Sequence, residues 1–108
     1  MGWTVETLNN TVDEELESLP ADMRARFVRV SNLIETLGLE RVGLPHVRHL
    51  RDRLWEIRMK GKDGISRALY VTAARKRVVV VRVFIKKTQK TPRREIELAL
   101  ERAKEVPT

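Results

Sequence analysis

The chain has 108 residues, of which 42% are hydrophobic and 5% aromatic, and its 22 Lys and Arg outnumber 15 Asp and Glu to give a net charge of +7. That length holds a single domain, residues 1–108, with one thin core, and excludes a multidomain machine. Zero cysteines exclude a disulfide framework, a thiolate zinc site and a cysteine nucleophile, the few aromatics exclude a platform of stacked bases, and the excess positive charge makes a polyanion the first partner to consider.

Residues 3–8 read as a short strand, with Trp3 and Val5 on one face. Thr11 and Glu14 have the spacing of a capping box and open a helix that runs to about Leu19. Pro20 suits the first turn of a second helix, where its missing N–H has no partner to lose. There Met23, Phe27, Val30, Ile34 and Leu37 make one apolar stripe, ended by Gly38. Gly43-Leu44-Pro45 breaks regular structure and opens a linker to the sheet. Residues 54–59 then alternate, Trp55, Ile57 and Met59 against Leu54, Glu56 and Arg58. A glycine-flanked turn at 61–64 leads to a strand over 65–72, and a basic turn at 75–77 to another over 78–87, nearly all β-branched until Arg82. Thr91-Pro92 caps and begins a last helix whose inner face is Ile96, Ala99, Leu100 and Ala103, with Glu95 and Glu97 favoured by its dipole. The order strand-helix-helix-strand-strand-strand-helix predicts an α+β fold, a mainly antiparallel sheet with helices on one face. Apolar runs stop at about four residues, as at 78–81, and no basic segment followed by an apolar one opens the chain, so a soluble cytoplasmic protein that does not enter a membrane is expected.

The charge is unevenly placed. Residues 1–40 carry three basic and eight acidic side chains (−5), residues 41–94 seventeen and three (+14), and residues 95–108 two and four (−2). The middle block is the candidate anion-binding surface, with solvated strand and loop charges as the alternative reading. Arg58 shares a strand face with Glu56, and Arg67 joins them across the hairpin in one register only, because a slip of one residue turns it away. Arg82, Phe84 and Lys86 share a face of the last strand. The loop Lys86-Lys87-Thr88-Gln89-Lys90 then runs into a helix N-terminus, where free N–H groups and the dipole add to the lysine charges and suit phosphate. A glycine-rich nucleotide fingerprint and a nucleophile elbow are absent. No carboxylate cluster accompanies His46 and His49, so neither a metal nor another cofactor is expected. Tyr70, Trp3 and Trp55 read as packing residues.

Leu54-Trp55-Glu56-Ile57-Arg58, Arg67-Ala68-Leu69-Tyr70, the apolar strand over 78–85 and, most specifically, Lys86-Lys87-Thr88-Gln89-Lys90-Thr91-Pro92 followed by Arg93-Arg94-Glu95-Ile96-Glu97 resemble the phage-derived HigB-like branch of the RelE/HigB toxin superfamily. The resemblance covers nearly the whole chain. It implies a RelE-like fold and the toxin of a type II toxin–antitoxin pair: an endoribonuclease that cleaves messenger RNA, typically on the ribosome, without a metal, and is neutralised by an antitoxin, often of helix-turn-helix type. It implies Arg58, Arg67, Lys86 and Lys87 as catalytic clamps on phosphate, with Arg48, Arg51, Arg53, Lys60, Lys62, Arg82 and Lys90 as further RNA contacts. Glu56 stands where a second lysine can occur, and no tyrosine or histidine follows the last strand. The acid and base therefore stay open among a lysine of lowered pKa, Glu56 and His49, with Glu56 expected rather to hold Arg58 in place. Two other readings compete: a basic module that binds nucleic acid without cleaving it, and a phage assembly or interaction protein whose basic face meets an acidic partner.

Overall fold

The apolar periodicities resolve, in a computed structural model that describes residues 2–43, 45–86 and 90–108, into β1 (Thr4–Thr7), α1 (Asn10–Glu17), α2 (Ala21–Leu37), a 3-10 turn (Leu39–Arg41), β2 (Val47–Arg51), β3 (Leu54–Gly61), β4 (Gly64–Ala73), β5 (Arg77–Lys86) and α3 (Arg93–Ala103). The strands form one sheet in the order β1-β5-β4-β3-β2. All neighbours are antiparallel except β1, which runs parallel to β5. The expected α+β class and mainly antiparallel sheet are both present. None of the described helices is long and apolar enough to cross a membrane.

Alternation along the strands divides the core in two. On one face Ile57, Met59, Ala68, Tyr70, Val78 and Val80 pack against Val12, Met23, Phe27, Val30 and Ile34 from α1 and α2. On the other, Leu54, Leu69, Val71, Val79 and Val81 pack against Ala99 and Ala103 of α3 and Val106 beyond it. The expectation of helices on one face is therefore corrected: β4 and β5 are apolar on both faces, and strands of that kind need cover on both sides. The segment expected as a linker contains a fifth strand, β2, paired through Val47↔Ile57 and Arg48↔Glu56. Val47 is buried there while Arg48 and His49 are exposed, too weak an alternation to signal a strand. At the helix ends, Asn9 rather than Thr11 caps α1, its Oδ1 accepting the Val12 N–H at 3.1 Å. The buried stripe of α2 stops at Ile34, and Leu37 is 47% exposed.

Two contacts fix where the helices meet the sheet. The start of α2 lies so close to the β3–β4 turn that a Cβ on Gly61 would come within 2.8 Å of Asp22 Oδ2 and 2.9 Å of Met23 Cγ. Asp22 Oδ2 also accepts the Lys62 N–H at 2.8 Å. On the other side, β1 accompanies β5 only to Val80, and Glu15 of α1 occupies the edge beyond. Its carboxylate accepts the Val83 N–H at 3.0 Å and Arg102 Nη1 at 3.1 Å, and pairs with Arg82 at 2.8 Å. Arg82 in turn forks onto Glu95 of α3 at 2.7 and 3.2 Å. Glu15→Ala leaves the Val83 N–H without its acceptor and removes a carboxylate from Arg82 and Arg102, which keep Glu95 and Val81 O, and is expected to lower stability by about 1–3 kcal/mol, read as a fall in the urea midpoint. Glu15→Gln, which keeps an acceptor for Val83, loses less.

Candidate anion-binding site

Toward the β3–β4 turn, the sheet face that carries α3 changes from apolar to charged side chains. The strand register lays out three rows there: Arg48 beside Glu56; Arg58 beside Arg67 and Phe84; Lys60 beside Ile65 and Lys86. Directly opposed residues of antiparallel strands share a face, so five cations share one face with a single carboxylate, which Arg48 and Arg67 contact. The phase of β5 depends on an irregularity in its pairing, where Tyr70↔Val80 is followed by Leu69↔Arg82. The extra residue, Val81, shifts the alternation: Val79 precedes it on the α3 face, and Arg82, Phe84 and Lys86 follow on that face. Without the bulge Lys86 would point away from Arg67, which is the way a bulge re-aims a side chain.

Glu56, in the first of these rows, is 0% exposed. Its Oε2 accepts a hydrogen bond from Arg67 Nη1 and pairs with Arg48 Nη2 at 2.9 Å, while Oε1 accepts the Thr91 hydroxyl at 2.8 Å. Both oxygens are thus engaged in positioning, and what they hold is Arg67 and Arg48, not Arg58 as expected. Arg67 is 1% exposed. Burial lowers its pKa, Glu56 opposes the shift and the like charges of Arg58 and Arg48 add to it, yet a guanidinium remains charged at neutral pH. Lys86 is 5% exposed, and its pKa is lowered by burial first and then by Arg67. Neither Lys86 Nζ nor Arg67 Nε has a hydrogen-bond partner among the described residues. Buried donors are nearly always satisfied. Two charged ones left open beside each other call for an acceptor from outside, an anion offering several oxygens.

Thr91 is not the cap of α3 that its sequence suggests. Pro92 occupies the N-cap position without a side-chain bond, and the Thr91 hydroxyl turns to Glu56, tying the end of the lysine loop to β3. Thr91→Val is expected to remove about 1.5–3 kcal/mol of stability, the range for hydrogen bonds to charged groups, and Thr91→Ser to restore most of it, both measured by denaturant unfolding.

Residues 14–104 match the family described as phage derived protein Gp49-like (DUF891). The chain belongs to that family. It is a RelE/HigB-like toxin family, and the fold agrees: RelE in the crystal structure of the archaeal RelE-RelB complex from Pyrococcus horikoshii OT3 is similar with a TM-score of 0.55 and 21% identity, over 79% of this chain and 96% of that one. No curated protein matches the chain in sequence.

In this Gp49-like chain the expected site residues divide. Arg48, Glu56, Arg58, Lys60, Arg67 and Lys86 come together as described. Lys87 lies outside the described residues, and exposed Lys90 adjoins Thr91. Lys62 is exposed in the β3–β4 turn. Arg51 stands at the opposite end of the sheet, 3.8 Å from Asp52. Arg53 fastens the chain after α3, donating to Val106 O at 2.8 Å and Thr72 O at 3.2 Å. Arg82 is committed to Glu95 and Glu15, and the Glu95 bond above all raises its pKa. His49 is opposite Trp55, with ring centroids 4.9 Å apart, and its Nε2 is 2.8 Å from Asp52 O. It shares the face of Trp55, not that of Glu56, so strand alternation removes it from proton transfer at this site. Thr91 is the site residue that sequence reasoning missed; its place between the lysine loop and α3 was the available signal.

Proposed function

We propose that this Gp49-like chain is the toxin of a type II toxin–antitoxin pair, a metal-independent endoribonuclease that cleaves messenger RNA on the ribosome. The observation that carries the reading is the pair of buried donors Lys86 Nζ and Arg67 Nε, which have no hydrogen-bond partner among the described residues and share a sheet face with Arg58. A phosphodiester has the charge and the oxygens to satisfy them. In the reaction the RNA 2′-hydroxyl loses its proton and attacks the adjacent phosphorus. The bond from phosphorus to the 5′-oxygen of the next nucleotide breaks and that oxygen takes up a proton, leaving a 2′,3′-cyclic phosphate and a 5′-hydroxyl. Negative charge grows on the non-bridging oxygens, where Arg67, preorganised by Glu56, acts with Arg58 and Lys86. Lys86, with its lowered pKa, is the proton carrier of this set. Glu56 is a positioning residue, because both of its oxygens are engaged.

A protein antitoxin belongs to the same reading: the similar RelE was crystallised as a RelE-RelB complex, and a helix-turn-helix antitoxin is expected to neutralise this chain in the cytoplasm. Controlled expression with mapping of messenger RNA 5′ ends tests the proposal, alongside an Arg58→Ala, Arg67→Ala double variant. New 5′-hydroxyl ends that vanish in a variant still accumulating as folded protein support it. Nucleic acid bound without new ends identifies a non-cleaving module instead, and neither growth arrest nor new ends sinks the toxin reading.

A further inference from the structure

A second group of cations lies around the edge of the same face. A cavity of about 270 Å³ is lined by Arg26, Pro45, His46, Arg58, Lys60 and Ile65. It exists because β2 pairs with β3 only as far as Ile57. The segment before β2 takes over there, with His46 O accepting the Arg58 N–H at 2.8 Å. The Asp22 contact to Lys62 meanwhile brings α2 alongside, with Arg26 one turn further on. Two separate elements, α2 and β3, thus aim Arg26, Arg58 and Lys60 at one hollow whose described lining holds no Asp or Glu.

None of these three cations has a carboxylate partner among the described residues, whereas Arg77, Arg82, Arg93, Arg102 and Lys104 each have one. Like charges around one hollow repel each other, and more strongly beside a low-dielectric core than in water. An arrangement that repels itself when empty is stabilised by an anion. The volume is just below the roughly 300 Å³ lower bound of ligand pockets, which fits one nucleotide and not a peptide helix. Pro45, Ile65 and the His46 ring provide apolar and planar walls for a ribose or base. Arg58 belongs both to this cavity and to the row with Arg67, so a strand of RNA that places one phosphate at Arg67 and Lys86 brings its neighbour to the cavity.

We infer that Arg26, His46 and Lys60 form a subsite for the nucleotide next to the scissile phosphate, with Arg58 shared between the two positions; the inference rests on the ribonuclease reading. The test is binding of a fluorescent oligodeoxynucleotide, which lacks the 2′-hydroxyl and is not cleaved, to the full chain across a salt series. Arg26→Gln with Lys60→Gln is expected to weaken binding by at least about tenfold and to make the log–log salt slope shallower by about 0.7 for each phosphate no longer neutralised. Arg75→Gln with Lys76→Gln, in the exposed β4–β5 turn, removes the same charge and serves as the control for net charge alone. Thermal melts of both variants check that they are folded. Equal effects of the two pairs, or no effect of the first, overturn the subsite and leave the cavity to another partner such as an acidic protein segment. A wild-type chain that binds the oligonucleotide but yields no new messenger RNA 5′-hydroxyl ends when expressed in translating cells fails the ribonuclease reading separately.

Discussion

Arg67→Ala is expected to lower RNA cleavage by roughly 100- to 1000-fold, the scale for losing one preorganised donor to a transition-state oxyanion, and to destabilise the fold by about 3–5 kcal/mol. The second effect follows from Glu56, which is fully buried and loses its most deeply buried partner. Among the described residues it keeps the Thr91 hydroxyl and Arg48, whose side chain is 43% exposed. At about 4–8 °C per kcal/mol for a domain of this size, the Tm falls by at least about 12 °C. Lost activity in this variant is therefore ambiguous taken alone.

Adding Glu56→Gln to Arg67→Ala separates the two effects. The amide leaves no stranded charge, so the double variant is expected to be more stable than Arg67→Ala, with a coupling between the sites of about 0.5–3 kcal/mol, and equally inactive. Denaturant unfolding and cleavage measured on the same preparations decide it. Cleavage that returns together with stability would make Arg67 a structural residue.

The parts of this architecture readable from the sequence are those written in strong periodicity. The α2 stripe from Met23 to Ile34 and the existence of the β3–β4 hairpin needed only the spacing of apolar residues and glycines at the turn, whereas the register that opposes Arg58 to Arg67 came from the fold. What was hidden has specific causes. β2 pairs through a segment with few buried side chains. The side covered by α3 was ambiguous because β4 and β5 are apolar on both faces. The bulge at Val81 leaves no mark in a run of valines, yet it sets the direction of Lys86. Among the cations, composition and position along the chain do not separate Arg53 and Arg82, which hold α3 in place, from Arg48 and Arg67. That distinction depends on which acceptors the fold brings near, and an N-cap pattern at Thr91 concealed a hydroxyl directed at Glu56.

Lys86→Met is expected to act in opposite directions on activity and stability. Cleavage falls by roughly 100- to 1000-fold, while the free protein becomes more stable by about 1–3 kcal/mol at neutral pH, because a buried charged donor without an acceptor among the described residues is removed. A functional group whose removal strengthens the fold is the signature of a site preorganised for a ligand. Linkage makes the same point through pH. Burial and Arg67 put the folded pKa of Lys86 below its unfolded value of 10.5, so between the two pKa values the unfolded chain binds more protons, and the stability contributed by this group rises with pH. Below the folded pKa the whole penalty of the buried ammonium is present, and above 10.5 it is gone. The wild type should therefore gain stability across that alkaline window relative to Lys86→Met, and the two curves should converge at its upper end. Lys86→Arg keeps the charge but cannot titrate in this range. If Lys86 only clamps the phosphate, this variant retains most cleavage; if it carries the proton, cleavage drops and the limb of the pH–rate profile assigned to Lys86 disappears. A Lys86→Met protein that melts below the wild type at pH 7 would mean that Nζ already has an acceptor in the free chain, and the open anion site would lose its main support.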